Sequence, residues 1–169
     1  MKIARVLCIV FFCLAVTIAV QAKKKTKKKS KGDLVLVEAY TQRTLPGMRR
    51  RELPPPSLHI VIVWNRTDRP DAFFWRNDST LLSCNIARAH KITDRSYRTP
   101  PGMDYRLEII TASQIHKGDT LMFSPVPVKG DKPTGIPGAG NTLFFKENAG
   151  NWYSYHIETI TKKRDIAMP

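Results

Sequence analysis

Four histidines, three cysteines and scattered carboxylates are the residues of this chain that could do chemistry, and their spacing argues against most of it. His59, His90, His116 and His156 stand far apart, with no His-x-x-x-His or Cys-x-x-Cys pair to seed a metal site. Surface or strand-edge positions are expected for them. Asp68, Asp71 and Asp78 lack the alternating oxygen ligands around a glycine that a calcium loop requires. Cys84 lies in LLSCNIARA, where Leu82, Cys84 and Ile86 alternate on one face. A buried, inert thiol is expected there, because a reactive one needs an accessible, electropositive setting. Neither Gly-x-Ser-x-Gly nor Ser-x-x-Lys occurs. Glu38, Glu108 and Glu158 fall on separate expected strands, so only tertiary geometry could make a glycosidase-like pair of them. The GIPGAG segment (Gly135–Gly140) has the glycines of a phosphate loop, but Pro133 and Pro137 remove backbone donors. The expectation is no catalytic residue, no metal and no cofactor.

Binding is the better lead. The run KKKTKKKSK places Lys23, Lys24, Lys25, Lys27, Lys28, Lys29 and Lys31 within nine residues. Near an anionic membrane each lysine contributes on the order of 1 kcal/mol, decaying over a Debye length of about 8 Å. Such attraction is salt-dependent and blind to sequence, so specific nucleic-acid recognition is not expected. The competing reading is a solubilising spacer. Arg49, Arg50 and Arg51 extend the candidate polyanion-binding set if they fold to the same side, as do Lys162, Lys163 and Arg164. A second candidate is an aromatic platform at Phe73, Phe74 and Trp75. Consecutive strand residues alternate faces, so one ring opposes the other two, and ordinary packing competes with ligand stacking. Trp152 and Tyr153 pose the same question. Asn65-Arg66-Thr67 and Asn77-Asp78-Ser79 match the glycosylation sequon, which matters only in a eukaryotic secretory pathway.

The elements that would position these residues follow from composition. The chain has 169 residues, 42% hydrophobic and 25% charged, with net charge +14. That suits one domain with a packed core and excludes a wholly disordered chain. Residues 1–22 read as a signal peptide: Lys2 and Arg5 precede an apolar core from Leu7 to Val20, and Val20-Gln21-Ala22 supplies small residues at the cleavage site. The 14-residue core is short of the roughly 20 residues that span a bilayer. Seven lysines directly after it oppose translocation by the positive-inside rule, so an uncleaved membrane anchor stands as the alternative. Removing the signal leaves +12, of which seven charges belong to the run and +5 to Gly32–Pro169. Like-charged runs repel and hydrate, so residues 23–33 are expected to be a disordered basic arm. Cys8 and Cys13 leave with the signal, and Cys84 alone can form no intrachain disulfide.

Residues 34–169 read as strands separated by turn chemistry. LVLVEAYT, LHIVIVWN, AFFWR, TLLSCNIARAHKI, DYRLEIITAS, TLMFSPVPV, TLFFKE and NWYSYHIETITKK are β-rich, and the first shift to apolar on both faces is at LVLV. Leu58, Ile60, Ile62 and Trp64 are expected inward and His59 outward. Tyr105, Leu107 and Ile109 are expected to share one face, as are Tyr153, Tyr155 and Ile157. Asn77-Asp78 forms a hairpin tip. The proline- and arginine-rich stretch RTLPGMRRRELPPPS and the stretch Lys129–Asn141 are loops. Seven or eight short strands without a helical apolar period predict an all-β protein, namely a single antiparallel, immunoglobulin-like β-sandwich.

VLVEAYTQ, AFFW before an Asn-containing turn, HKGDTL and YSYHIETITKKRDIAMP occur in that order. Together they resemble small secreted or lipid-anchored proteins of Bacteroidota bacteria, over roughly residues 34–169. The resemblance implies a β-sandwich and an envelope location, and carries no activity or site residue. The chain departs from the lipid-anchored members in lacking a lipidation cysteine. The expected function is an exported, non-catalytic binding or structural module of the cell envelope. Its partner would be an anionic surface (lipid or polysaccharide) or another envelope protein. The alternatives are electrostatic attachment through the arm and a hydrolase on a β scaffold.

Overall fold

In Ser57–Trp64 every second residue is large and apolar, and Ile60, Ile62 and Trp64 are each fully buried. That alternation is the pattern of a strand with one face against a core. The computed structural model describes residues 33–46, 52–78, 80–95, 99–129, 133, 136, 140–147 and 150–167. The expected signal peptide, the lysine run and Arg49, Arg50 and Arg51 lie outside the described residues.

The described chain is all-β. In order it forms β1 (Leu34–Gln42), β2 (Thr44–Leu45), β3 (Ser57–Trp64), β4 (Pro70–Asn77), β5 (Thr80–Lys91), β6 (Tyr105–Ile109), a single 3-10 turn (Ala112–Gln114), β7 (Thr120–Pro127), β8 (Thr142–Glu147), β9 (Trp152–His156), β10 (Thr161–Lys162) and β11 (Ile166–Ala167). β4 and β5 make the expected hairpin: Asn77 pairs with Thr80, and Asp78 takes a positive φ of 44° in the two-residue connection. Right-handed strand twist favours such left-handed turn residues, and Asp tolerates them.

Nine strands form one sheet in the order β10-β1-β3-β7-β5-β4-β8-β9, with β6 added beside β5. This corrects the expectation of an antiparallel two-sheet sandwich. The sheet is mixed, because β10 runs parallel to β1, and β11 runs parallel to β2 in a separate two-stranded pair. After β9 the chain crosses back to the first strand, where Thr161 and Lys162 pair in parallel with Tyr40 and Thr41.

The sheet is curled into a half-barrel, and side-chain contacts show why. Flat strands sit about 4.8 Å apart, so β3 would lie about 14 Å from β4 and about 19 Å from β8. Yet the Trp64 ring of β3 meets Phe73 of β4 at 5.7 Å and Phe145 of β8 at 5.2 Å, both edge-on. Rolling the sheet around these rings buries Trp64, Phe73, Trp75, Phe123 and Phe145 in one core. Arg66, after β3, fastens the rolled end. It pairs with Asp33, Asp68 and Glu147, and its guanidinium lies 4.5 Å from the Tyr153 ring centre.

The opposite face of the sheet is not simply solvated. Tyr40, Val61, Ala89, Tyr105 and Met122 form a second buried cluster there. β5 makes this possible by its length: residues 80–83 pair with β4, while residues 87–91 pair on the same edge with β6. The chain leading into β6 thereby reaches back toward β1. Lys163, just after β10, bonds both Glu38 of β1 and Asp104 beside β6. His59 is consequently half-buried, where an outward position was expected, and Val61 is wholly buried.

Candidate functional site

The second face carries a pocket of about 350 Å³. Its floor comes from β1, β3 and β7 through Tyr40, His59 and Met122, and its wall from Met103, Tyr105 and Leu107. Alternation places Tyr40, His59 and Met122 here, since their neighbours Ala39, Ile60 and Phe123 face the main core. Sites of this size lined by rings and a few polar groups are the usual form of small-molecule sites. Two thioethers among the rings add adaptable, polarizable surface.

The pocket is held together by hydrogen bonds from segments distant in sequence. The Gln42 side-chain amide donates to the carbonyls of Gly102 and Arg164, at 3.0 and 2.7 Å. Gln42 is thereby a buried polar group with both amide protons used, which fixes the loop before β6 against the C-terminal segment. Gly102 adopts φ +87°, and a side chain there would press on the carbonyls of Arg164 and Asp165 at 3.3 Å. The close approach and the left-handed backbone both require glycine. Lys163 adds the charged clasp: its Nζ donates to Glu38 at 2.8 Å and to Asp104 at 2.9 Å, and lies 4.0 Å from the Tyr40 ring centre.

The electrostatics follow from this enclosure. Burial lowers the pKa of His59, and the nearby Lys163 lowers it further, so the imidazole is neutral at pH 7. Burial likewise raises the Tyr40 phenol, reinforced by Glu38 and Asp104. Tyr105 is pushed up to about 12, by burial and then by its hydrogen bond with Glu38. Burial works against the charge of Lys163, but Glu38 and Asp104 outweigh it and the pKa is raised. The hydrogen bond from Lys163 holds Asp104 below the ordinary carboxylate range, against partial burial and with help from Arg95. The pocket is thus lined largely by neutral rings, and the charges of Lys163, Glu38 and Asp104 are paired with one another beside it.

A second cavity, of about 430 Å³, adjoins the first. His90, Lys91, Thr99 and Asp94 line it, and Met103 and Arg106 line both cavities. Neither Arg106 nor Lys91 makes an ion pair with a described carboxylate.

The residues singled out by sequence are distributed differently. Lys23, Lys24, Lys25, Lys27, Lys28, Lys29, Lys31, Arg49, Arg50 and Arg51 all lie outside the described residues. The aromatic platform divides: Phe73 and Trp75 are in the main core and present no face to a ligand. Phe74 is half-buried on the other face, edge-on to Trp152 at 5.7 Å. Of the C-terminal basic cluster, Lys163 is committed to the clasp. Cys84 is buried in the core, and burial pushes its thiol pKa far up. Among the described residues no three His, Cys, Asp or Glu side chains gather as for a metal, and no helix is long and apolar enough to cross a membrane. Glu38 pairs with Lys163, Glu108 with Arg88, and Glu158 is exposed. His59 Nδ1 lies 3.1 Å from Ser124 Oγ on the neighbouring strand. Among the described residues no carboxylate orients that imidazole, as a nucleophilic triad would need.

Tyr40, His59, Tyr105 and Met122 escaped sequence reasoning as a group. Their only sequence signal is that β1 and β3 are apolar on both faces, which marks a strand covered on both sides. Comparison of the chain with protein-family models, curated proteins and solved structures finds no match.

Proposed function

We propose that this protein is a non-catalytic binding module of the bacterial cell envelope that holds a small ring-bearing ligand in the pocket between β1, β3, β7 and β6. The observation that carries the reading is a ring-lined cavity of about 350 Å³ with a preformed frame, clasped by Gln42 and Lys163. A frame fixed before binding spares the entropy of ordering it. The export half of the reading rests on the sequence: a cleavable apolar leader, a basic arm and the resemblance to Bacteroidota envelope proteins. Amide-resolved NMR titration with a panel of neutral ring compounds tests the pocket. The expected result is shifts centred on Tyr40, Gln42, Tyr105 and Leu107; shifts elsewhere or none would refute it. Intact mass of the natively expressed protein tests export, with a start at Lys23 expected and retention of Met1–Ala22 against it.

A second reading, electrostatic attachment, is favoured by the concentration of seven lysines in nine residues. It predicts retention on heparin that collapses as salt rises and is lost when Lys23–Lys31 are deleted. Retention unchanged by that deletion would sink it.

A further inference from the structure

The two adjoining cavities differ in chemistry, and their junction is Met103 and Arg106. On one side stand neutral rings: Tyr40, His59 and Tyr105. On the other stand Lys91 and Arg106, both free of ion pairs with described carboxylates, against the single carboxylate of Asp94. Other described polar groups beside the junction have partners. Asp104 is bonded to Lys163 and Arg95, and His90 faces Glu108 at 3.7 Å. A ligand confined to the aromatic pocket would leave the guanidinium at its mouth unused. One that also bears an anionic group reaches Arg106, whose planar fork matches a carboxylate or phosphate oxygen pair.

We infer that the ligand is an amphiphilic anion, a ring seated in the aromatic pocket with an acidic group at the junction, received by Arg106 with support from Lys91. This rests on the binding-module reading and extends it. The ring supplies buried apolar contact, and the charge supplies orientation at a position that stays partly solvated.

Three probes separate the contributions: phenylacetate, phenylacetamide and acetate, titrated into the full chain at about 150 mM salt with amide NMR detection. That ionic strength suppresses diffuse attraction to exposed lysines. Phenylacetate is expected to bind about tenfold more tightly than phenylacetamide, the gain of one charge-assisted bidentate contact. Acetate, lacking the ring, is expected to be at least tenfold weaker than phenylacetate. Arg106→Gln should erase the preference, bringing phenylacetate to the affinity of phenylacetamide for the same variant, and Lys91→Gln should reduce the preference partly. Equal binding of acid and amide at the pocket amides would overturn the anionic inference and leave the binding module standing. A preference that survives Arg106→Gln would overturn the role of that residue. Acetate binding as tightly as phenylacetate would overturn the ring. If neither ring compound shifts the pocket amides, the binding-module reading itself falls, and this inference with it.

Discussion

Replacing Lys163 by methionine removes one charge while keeping a stem of similar length, and the structure sets the size of the effect. The Nζ group donates to Glu38 at 2.8 Å and to Asp104 at 2.9 Å. Lys163 is 22% exposed, and its partners are 27% and 35% exposed. Fully solvated pairs are worth about 0.2–1 kcal/mol, whereas charged hydrogen bonds in buried settings reach about 1.5–3. Two contacts of intermediate exposure therefore place the loss at about 1–3 kcal/mol. For a chain of this size that lowers Tm by roughly 3–10 °C. Thermal and urea unfolding at pH 7, followed by near-UV circular dichroism, measure it. A double-mutant cycle with Glu38→Gln should return a coupling of about 1 kcal/mol.

The acid limb supplies an independent sign. Asp104 has a depressed folded pKa, so its contribution is present above its ordinary value of 3.8 and is lost as pH falls through the folded value. Lys163→Met removes the main cause of the depression and should flatten that limb. A variant within 0.3 kcal/mol of the parent (about the additivity error), with an unchanged acid limb, would refute the claim that Lys163 clasps the two ends of the pocket.

His59 is held neutral, so its contribution is present above 6.5 and is lost as pH falls below that value toward the lowered folded pKa. The parent should be less stable at pH 5.5 than at 7.5, and His59→Gln should shrink the difference measured by urea midpoints. Phe123→Ala empties a fully buried site 4.5 Å from the Phe73 ring and should cost about 3–5 kcal/mol in chemical denaturation, enough to leave much of the chain unfolded. Cys84 should be inert to a disulfide reagent in native protein at pH 8 and react fully in denaturant. Fast native labelling would contradict its burial.

Alternation along each strand determined a good deal of this molecule without tertiary information. It grouped Leu58, Ile60, Ile62 and Trp64, and likewise Leu82, Cys84 and Ile86, because side chains in a strand alternate with period two, and both sets face the main core. Turn residues marked the hairpin, whose connection falls one residue later than Asn77-Asp78, since Asn77 still pairs with Thr80. It did not determine what covers each face. Leu107 and Ile109 share an apolar alternation with Tyr105, yet they are exposed (49% and 89%) because β6 lies at the edge of the sheet with only β5 beside it. Val61, between the inward Ile60 and Ile62, is buried all the same, since Tyr105 and the segment after β10 close over it.

The candidate site divides in the same way. The residue types were visible, but Tyr40, His59, Tyr105 and Lys163 converge only through pairings between segments 59 to 125 residues apart. Sequence period is a local property, whereas the roll of the sheet is set by how large rings such as Trp64 and Phe145 pack across it. The composition could therefore fix strands and the distribution of charge, while the half-barrel, the parallel return of β10 and the pocket were decided by packing in three dimensions.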